Sequence, residues 1–349
     1  MTDQSFPRAR RGLLRPILLY PAGSLLLLLS ISVAVSIGTV EVPLPVVWGV
    51  IADRLLPGLV EPDWSAGQEA IIWNIRLPRS ILACLVGAGL AVVGASLQAV
   101  TRNPLADPHL LGISSGGAFG AVLALLHTGL FLGLLTVPLL SFFGALAATA
   151  IVLAVSRLAA AATAERLVLA GVAVSFALMS CANLLIFLGD PRAVHTAVFW
   201  MLGGLGLAQW THLPLPAVGL VACLAYFRLR SGELNAVTLG DETATTLGIS
   251  VTRFRLSIFV SGALLTGIMV AYSGMIGFVG LMMPHAARML VGGDNARVIP
   301  TAALAGSVFL VWADIAARSV AAPEDMPIGI ITGLVGGAFF IWLLRRRRL

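Results

Sequence analysis

The chain has 349 residues, 58% of them hydrophobic and only 11% charged, with a mean hydropathy of +0.98. Soluble globular domains carry roughly 25% charged residues, so a mostly water-facing surface is excluded. At ~20 apolar residues per crossing helix, there is room for about ten crossings and no large soluble domain. The net charge of +6 comes from 22 basic residues, all of them arginine. They sit in short stretches between apolar runs rather than on one face, which argues against a nucleic-acid partner.

In chain order, Arg8, Arg10, Arg11 and Arg15 precede an apolar run over 17–37. That run is too long for a signal-peptide core and has no convincing small-residue cleavage site after it, so it predicts a first spanning helix. Further apolar runs at 79–100, 112–132, 135–156, 167–188, 212–227, 256–273, 276–291, 299–317 and 328–344 predict nine more. The pair over 112–156 is about twice what a bilayer needs and is divided near Pro138. The pair over 256–291 is divided at Ser273-Gly274. The expectation is an all-α integral membrane protein, with residues 1–349 forming one transmembrane domain. Residues 1–16 form a cytoplasmic N-terminal segment, and 228–255 a cytoplasmic loop.

Arginine counting orients this arrangement. An even number of spans puts Arg8 to Arg15 and Arg345 to Arg348 on one side. Arg102, Arg157, Arg166, Arg228, Arg230, Arg253, Arg255, Arg288 and Arg297 fall on or beside that face. Only Arg54, Arg76, Arg79, Arg192 and Arg318 fall opposite, a bias of seventeen to five among the 22 that predicts cytoplasmic termini. Small residues recur as Ala83, Gly87, Ala91 and Ala95, as Gly116 and Gly120, and as Gly329 and Gly333, a pattern that lets helix backbones approach closely in lipid. Cys84, Cys181 and Cys223 lie in apolar runs and read as packing residues, with neither disulfide nor zinc spacing.

The absences are as informative. A phosphate-binding P-loop needs a lysine, and the chain has none. His109, His127, His195, His212 and His285 are scattered and form no catalytic or metal-binding pattern. Asp314 is the one clear intramembrane carboxylate, with Arg318 four residues on as a helical partner. Energy for transport must therefore come from another chain, or the protein is a passive pore. The longest polar insert, Arg228 to Gly248, carries the segment Leu239-Gly-Asp-Glu-Thr-Ala-Thr-Thr-Leu-Gly248. This segment reads as a short helix punctuated by glycines, with Ala244 and Leu247 on one side. Such a helix is either a surface cap or a docking element for a soluble ATPase.

Six segments in order resemble the permease family of type II ABC importers for iron-siderophores, haem and cobalamin, over nearly the whole chain. They are Arg76-Leu-Pro-Arg79; Asn103-Pro-Leu-Ala-Asp-Pro108 with Leu111-Gly-Ile-Ser-Ser-Gly-Gly117; Leu239 to Gly248; Ile276-Gly-Phe-Val-Gly-Leu-Met-Met-Pro-His285; Ala313-Asp-Ile-Ala-Ala-Arg318; and Met326-Pro-Ile-Gly-Ile-Ile-Thr332. Met282-Met283 depart from the smaller or β-branched residues expected there. The resemblance implies ten helices per subunit, a second copy of the chain around a central path, two ATPase subunits beneath, and a periplasmic substrate-binding protein. It further implies that this chain binds no cofactor or metal of its own, ATP and magnesium belonging to the ATPase.

Position by position, the resemblance makes Leu239, Gly240, Asp241, Glu242, Ala244, Leu247 and Gly248 the coupling segment. Arg76, Arg79 and Arg318 become outward arginines that receive acidic residues of the binding protein, and Asn103 and Leu105 a cytoplasmic gate. The same arginines also read as headgroup anchors. The substrate path follows the fifth and tenth spans and the turn Trp200 to Gly206. The function implied is import of haem or a ferric siderophore across a bacterial inner membrane, with cobalamin as an alternative cargo. From other classes, an ion-coupled secondary transporter and a non-transporting membrane scaffold remain as competing readings.

Overall fold

The computed structural model describes residues 16–38, 40–58, 60–158 and 164–346, and among these every regular element is helical. The expected N-terminal arginines, Arg347 and Arg348 lie outside the described residues. The first helix, α1 (Pro16–Ser36), crosses near its expected bounds. A short helix α2 (Leu44–Leu55) then lies at the far end of the bundle, where the sequence offered no span. It opens with Pro45 in its first turn and buries only Val47 and Val50.

The central pillar is α3 (Ala66–Thr101), which starts well before the apolar run that announced it. Ser65 and Gln68 form a reciprocal capping box at its start, and Ile71–Arg76 is a π-helical stretch. The most apolar window of α3 is 89% buried, and α1, α8, α11, α12 and α13 all pack on it. Those later helices follow in chain order: α4 (Ile113–Thr128), α5 (Thr136–Leu158), α6 (Ala164–Phe187), α7 (Pro191–Met201), α8 (Pro214–Leu229), α9 (Ser231–Leu239), α10 (Asp241–Thr246), α11 (Val251–Ser273), α12 (Val279–Val291), α13 (Asn295–Val320) and α14 (Ile328–Arg346).

Eight of these are long and apolar enough to cross a membrane: α1, α3, α5, α6, α8, α11, α13 and α14. The shorter apolar helices α4 and α12 complete ten. The small-residue stripes explain how closely they pack. A Cβ on Gly94 would come within 1.9 Å of the Gly280 carbonyl oxygen, and one on Gly87 within 2.2 Å of that of Gly306. Backbone thus meets backbone where α3 crosses α12 and α13, the close approach that small residues permit in lipid. Gly116 and Gly120 do the same against α5, and Gly329 against Leu202, whereas Gly333 faces open space. The paired methionines, Met282 and Met283, are both buried in the core.

Candidate functional site

Three regions along the bundle carry the residues singled out above. At the far end, the structure brings Arg76, Arg79 and Arg318 together, but turned inward. Their relative exposures are 5%, 8% and 7%, so the expected exposed rim is corrected to a buried cluster. Arg76 donates to the carbonyl oxygens of Val35 (2.8 Å), Ser36 (2.9 Å) and Val40. Arg318 donates to those of Ala34 and Ile37, both at 3.0 Å. All but that of Val40, in the loop beyond, are carbonyls at or just past the last turn of α1, where a cation is favoured by both hydrogen bonding and the helix dipole. Gly38 leaves room beside them for the Arg76 guanidinium, which a Cβ there would crowd.

Asp314 is the counterion at the centre, 1% exposed. Its Oδ1 accepts from Arg79 Nε at 2.9 Å, and its Oδ2 lies 3.1 Å from Arg318 Nε, at ion-pair distance without hydrogen-bond alignment. The helical pairing of Asp314 with Arg318 expected from their spacing is therefore present. Arg79 also reaches Asp325 at 2.6 Å, tying the 321–327 turn to α3. Both carboxylate oxygens of Asp314 thus face guanidinium groups.

At the opposite end, where the chain's described termini lie, α8 leads into α9 and α10. Gly240 (φ 137°) and Gly248 (φ 82°) bracket α10 in conformations that suit glycine. Leu239 and Leu247 are 76% and 66% exposed, while Ala244 is fully buried. The expectation that Ala244 and Leu247 share one side is corrected: Ala244 anchors the helix and Leu247, at its C-terminus, faces outward. Glu242 is exposed as well. Asp241 turns back into the protein, within 3.2 Å of Arg255 through both carboxylate oxygens and 3.3 Å from Arg102. Arg255 also donates to the Val100 carbonyl oxygen at 3.3 Å.

This clasp joins α10 to the last turn of α3, next to the two expected gate residues. Arg102 itself is left-handed (φ 53°), which ends α3. Asn103 Oδ1 accepts from the Leu105 N–H at 2.9 Å, a tight turn that leaves Leu105 55% exposed. A little further on, Asp107 is 5% exposed and accepts from the His109 N–H at 2.8 Å. Burial pushes its carboxyl above the usual carboxylate range.

Between the two ends runs a cavity of about 390 Å³, lined by Asp107 and His109 below, by Met201, Leu202 and Met275 above, and by Phe278, Leu281 and Gly329 along its side. The glycine-rich turn after Trp200 forms its upper wall. Gly204 donates to the Ser273 carbonyl at 2.9 Å, and Gly203 and Leu202 accept from Ile328 and Gly329. The cavity touches the start of the tenth span and the turn that follows α7, but none of its lining residues belongs to the fifth span, α6, along which the path was also expected. Phe278 is the residue that sequence reasoning missed. It holds a left-handed backbone (φ 68°) at the start of α12, a costly conformation for a bulky side chain. Its ring packs where Gly336 leaves room, since a Cβ there would approach it to 2.3 Å. Only the motif Ile276 to His285 pointed to it.

Of the histidines, His127 contacts the Leu185 carbonyl oxygen (2.9 Å) and His212 packs on Tyr272 (ring centroids 5.3 Å apart). Among the described residues no three His, Cys, Asp or Glu side chains gather as metal ligands.

The fold and these regions define a multi-pass helical membrane protein. The profile of the FecCD transport family matches residues 25–346, and the chain belongs to that family. It is 40% identical over 336 residues to an uncharacterised ABC transporter permease of Bacillus subtilis, covering 94% of this chain and 93% of the relative. It is 39% identical to the hemin transport system permease of Yersinia pestis, over 82% of this chain and 87% of that protein. The Fe(3+) dicitrate transport system permease FecD of Escherichia coli is 37% identical, over 82% and 89% of the two chains. Among solved structures, an inward-facing conformation of a metal-chelate type ABC transporter superposes with a TM-score of 0.81 at 29% identity, covering 95% of this chain and 99% of that one.

Proposed function

We propose that this chain is the permease subunit of an ATP-driven importer that carries an iron chelate, haem or a ferric siderophore, into the cytoplasm. The observation that carries the reading is the α10 clasp. The segment from the end of α9 through α10 presents exposed Leu239, Glu242 and Leu247 outward, while Asp241 binds it to Arg102 beside the gate turn. Movement of a partner ATPase against α10 would then act directly on Asn103 and Leu105. The lack of any lysine fits a chain that leaves ATP and magnesium to that partner.

In this reading two copies of the chain enclose the path, in the closed two-fold symmetry most common among oligomers. Two ATPase subunits sit below, and a periplasmic binding protein delivers the chelate from above. The chain itself holds no cofactor or metal. It lies in the inner membrane with both termini cytoplasmic, as the arginine bias indicates. The binding protein lands at the far end, where Arg76, Arg79 and Arg318 fix the shape of the landing surface. Their guanidinium groups are committed to Asp314, Asp325 and the end of α1, so they act through that shape. The names of relatives, hemin and Fe(3+) dicitrate permeases among them, support an iron chelate. Cobalamin, carried by the relative named for it in Halobacterium salinarum, is the second cargo of the same class.

The experiment is reconstitution with the cognate ATPase. The intact chain should raise ATP hydrolysis, and deletion of 239–248 should abolish that stimulation while leaving the permease folded. Stimulation that survives the deletion would remove α10 from the coupling role.

A further inference from the structure

A groove of about 620 Å³ opens on the perimeter of the bundle at the terminal end, between α1, α8 and α13. Tyr20, Val221, Leu224 and Pro300 form its apolar wall, and Arg228 and Arg297 stand at its rim. The wall faces the membrane: the spanning windows of α1 and α8 are each only 22% buried, and Val221 is 66% exposed. At 1.5 Å of rise per residue, Val221 lies ~10 Å below Arg228 along α8, and Pro300 about 5 Å below Arg297 along α13. The groove therefore carries positive charge at headgroup depth and hydrocarbon surface beneath it.

The two arginines share a single carboxylate, Asp294, whose charge acts on both. Among the described residues Arg228 has no direct ion-pair partner. Arg297 reaches only Asp294, at 3.8 Å. Asp294 is itself occupied, accepting from Asn235 Nδ2 at 2.8 Å and from the Ala296 N–H at 3.0 Å. One carboxylate leaves this pair of guanidinium groups with a net positive charge, and their planar forks match phosphate oxygens. Basic pockets between spanning helices on a cytoplasmic face are suited to acidic headgroups.

We infer that this groove is a binding site for an anionic glycerophospholipid, its phosphate between Arg228 and Arg297 and one acyl chain along Tyr20, Val221 and Leu224. The inference rests on the chain spanning a membrane and is independent of what it transports. The test titrates the delipidated full-length chain with phosphatidylglycerol or phosphatidylcholine and counts bound lipids by native mass spectrometry. Phosphatidylglycerol should bind at least fivefold better than phosphatidylcholine. That preference should be lost in Arg228→Gln/Arg297→Gln and reduced in the single Arg228→Gln, while Arg192→Gln, exposed at the far end, should leave it intact. Equal binding of the two lipids, or full preference in the double variant, would overturn the site.

Discussion

Replacing Asp314 with asparagine tests the far-end cluster at its centre. The cluster holds Arg76, Arg79 and Arg318 against Asp314 and Asp325, so three positive and two negative charges leave a net of +1, and Asp314→Asn raises it to +2. Two guanidinium groups, at 2.9 and 3.1 Å, then face a neutral amide in a site 1% exposed. Breaking a buried pair from one side costs about 3–5 kcal/mol, because the remaining charge is left uncompensated. Asp325→Asn is the internal comparison. Its side chain is 42% exposed, and exposed pairs contribute only ~0.2–1 kcal/mol. Unfolding in detergent by SDS titration, followed by tryptophan fluorescence, measures both. The expected order is a large loss for Asp314→Asn and a small one for Asp325→Asn. A change below about 0.5 kcal/mol for Asp314→Asn, the range of an ordinary surface substitution, would refute the idea that the cluster is a structural clasp. The same reasoning predicts that Arg79→Glu disrupts folding before any docking partner is involved.

Three further outcomes follow from other contacts. Gly94→Ala should lower stability by about 1–3 kcal/mol, because its Cβ meets a backbone carbonyl at 1.9 Å, whereas Gly333→Ala, in open space, should not; the same SDS titration reads both. Asp241→Asn should reduce the transport obtained per ATP hydrolysed, with Asp241→Glu recovering part of it; equal coupling ratios for wild type and Asp241→Asn would remove the clasp from the transmission path. The buried Asp107 has its carboxyl raised by desolvation. Its contribution to stability is therefore complete below the ordinary carboxylate value near ~4 and lost as pH rises through the raised one. Asp107→Asn should flatten that decline in thermal melts taken across pH, and an unchanged pH profile would contradict it.

How much of this was legible in the sequence follows from the physics of each element. The spans were, because lipid demands long apolar runs whatever their packing. The start of α3 was not: Glu69, Asn74 and Arg76 interrupt the apolar pattern, and the Ser65–Gln68 capping box was the available signal. Helices α2 and α7 escaped because each is short and buries few of its side chains. Asp314 and Arg318 could be paired from helical spacing, since four residues bring them to one face. Arg79 and Asp325, or Asp241 and Arg102, could not, because tertiary packing alone brings together such distant positions. The same limit explains the inward turn of the arginines. From sequence, an arginine at a span end reads as facing headgroups or a partner, and only the carbonyls at the end of α1 reveal its real acceptors. The short helix within Leu239 to Gly248 was legible from its glycines, but which of its residues anchors and which projects depended on the contacts of Ala244 and Asp241. Phe278 was hidden for a different reason: nothing in a side chain's identity announces a left-handed backbone.

The central claim is that this permease is driven by ATP hydrolysed on a separate chain. It is tested most directly in sealed proteoliposomes holding the permease and its cognate ATPase, with loaded binding protein on one side and ATP on the other. The account predicts accumulation of the iron chelate that requires ATP, persists when proton and sodium gradients are collapsed, and is lost when the ATPase is omitted. Accumulation driven by an ion gradient with the ATPase absent would contradict it.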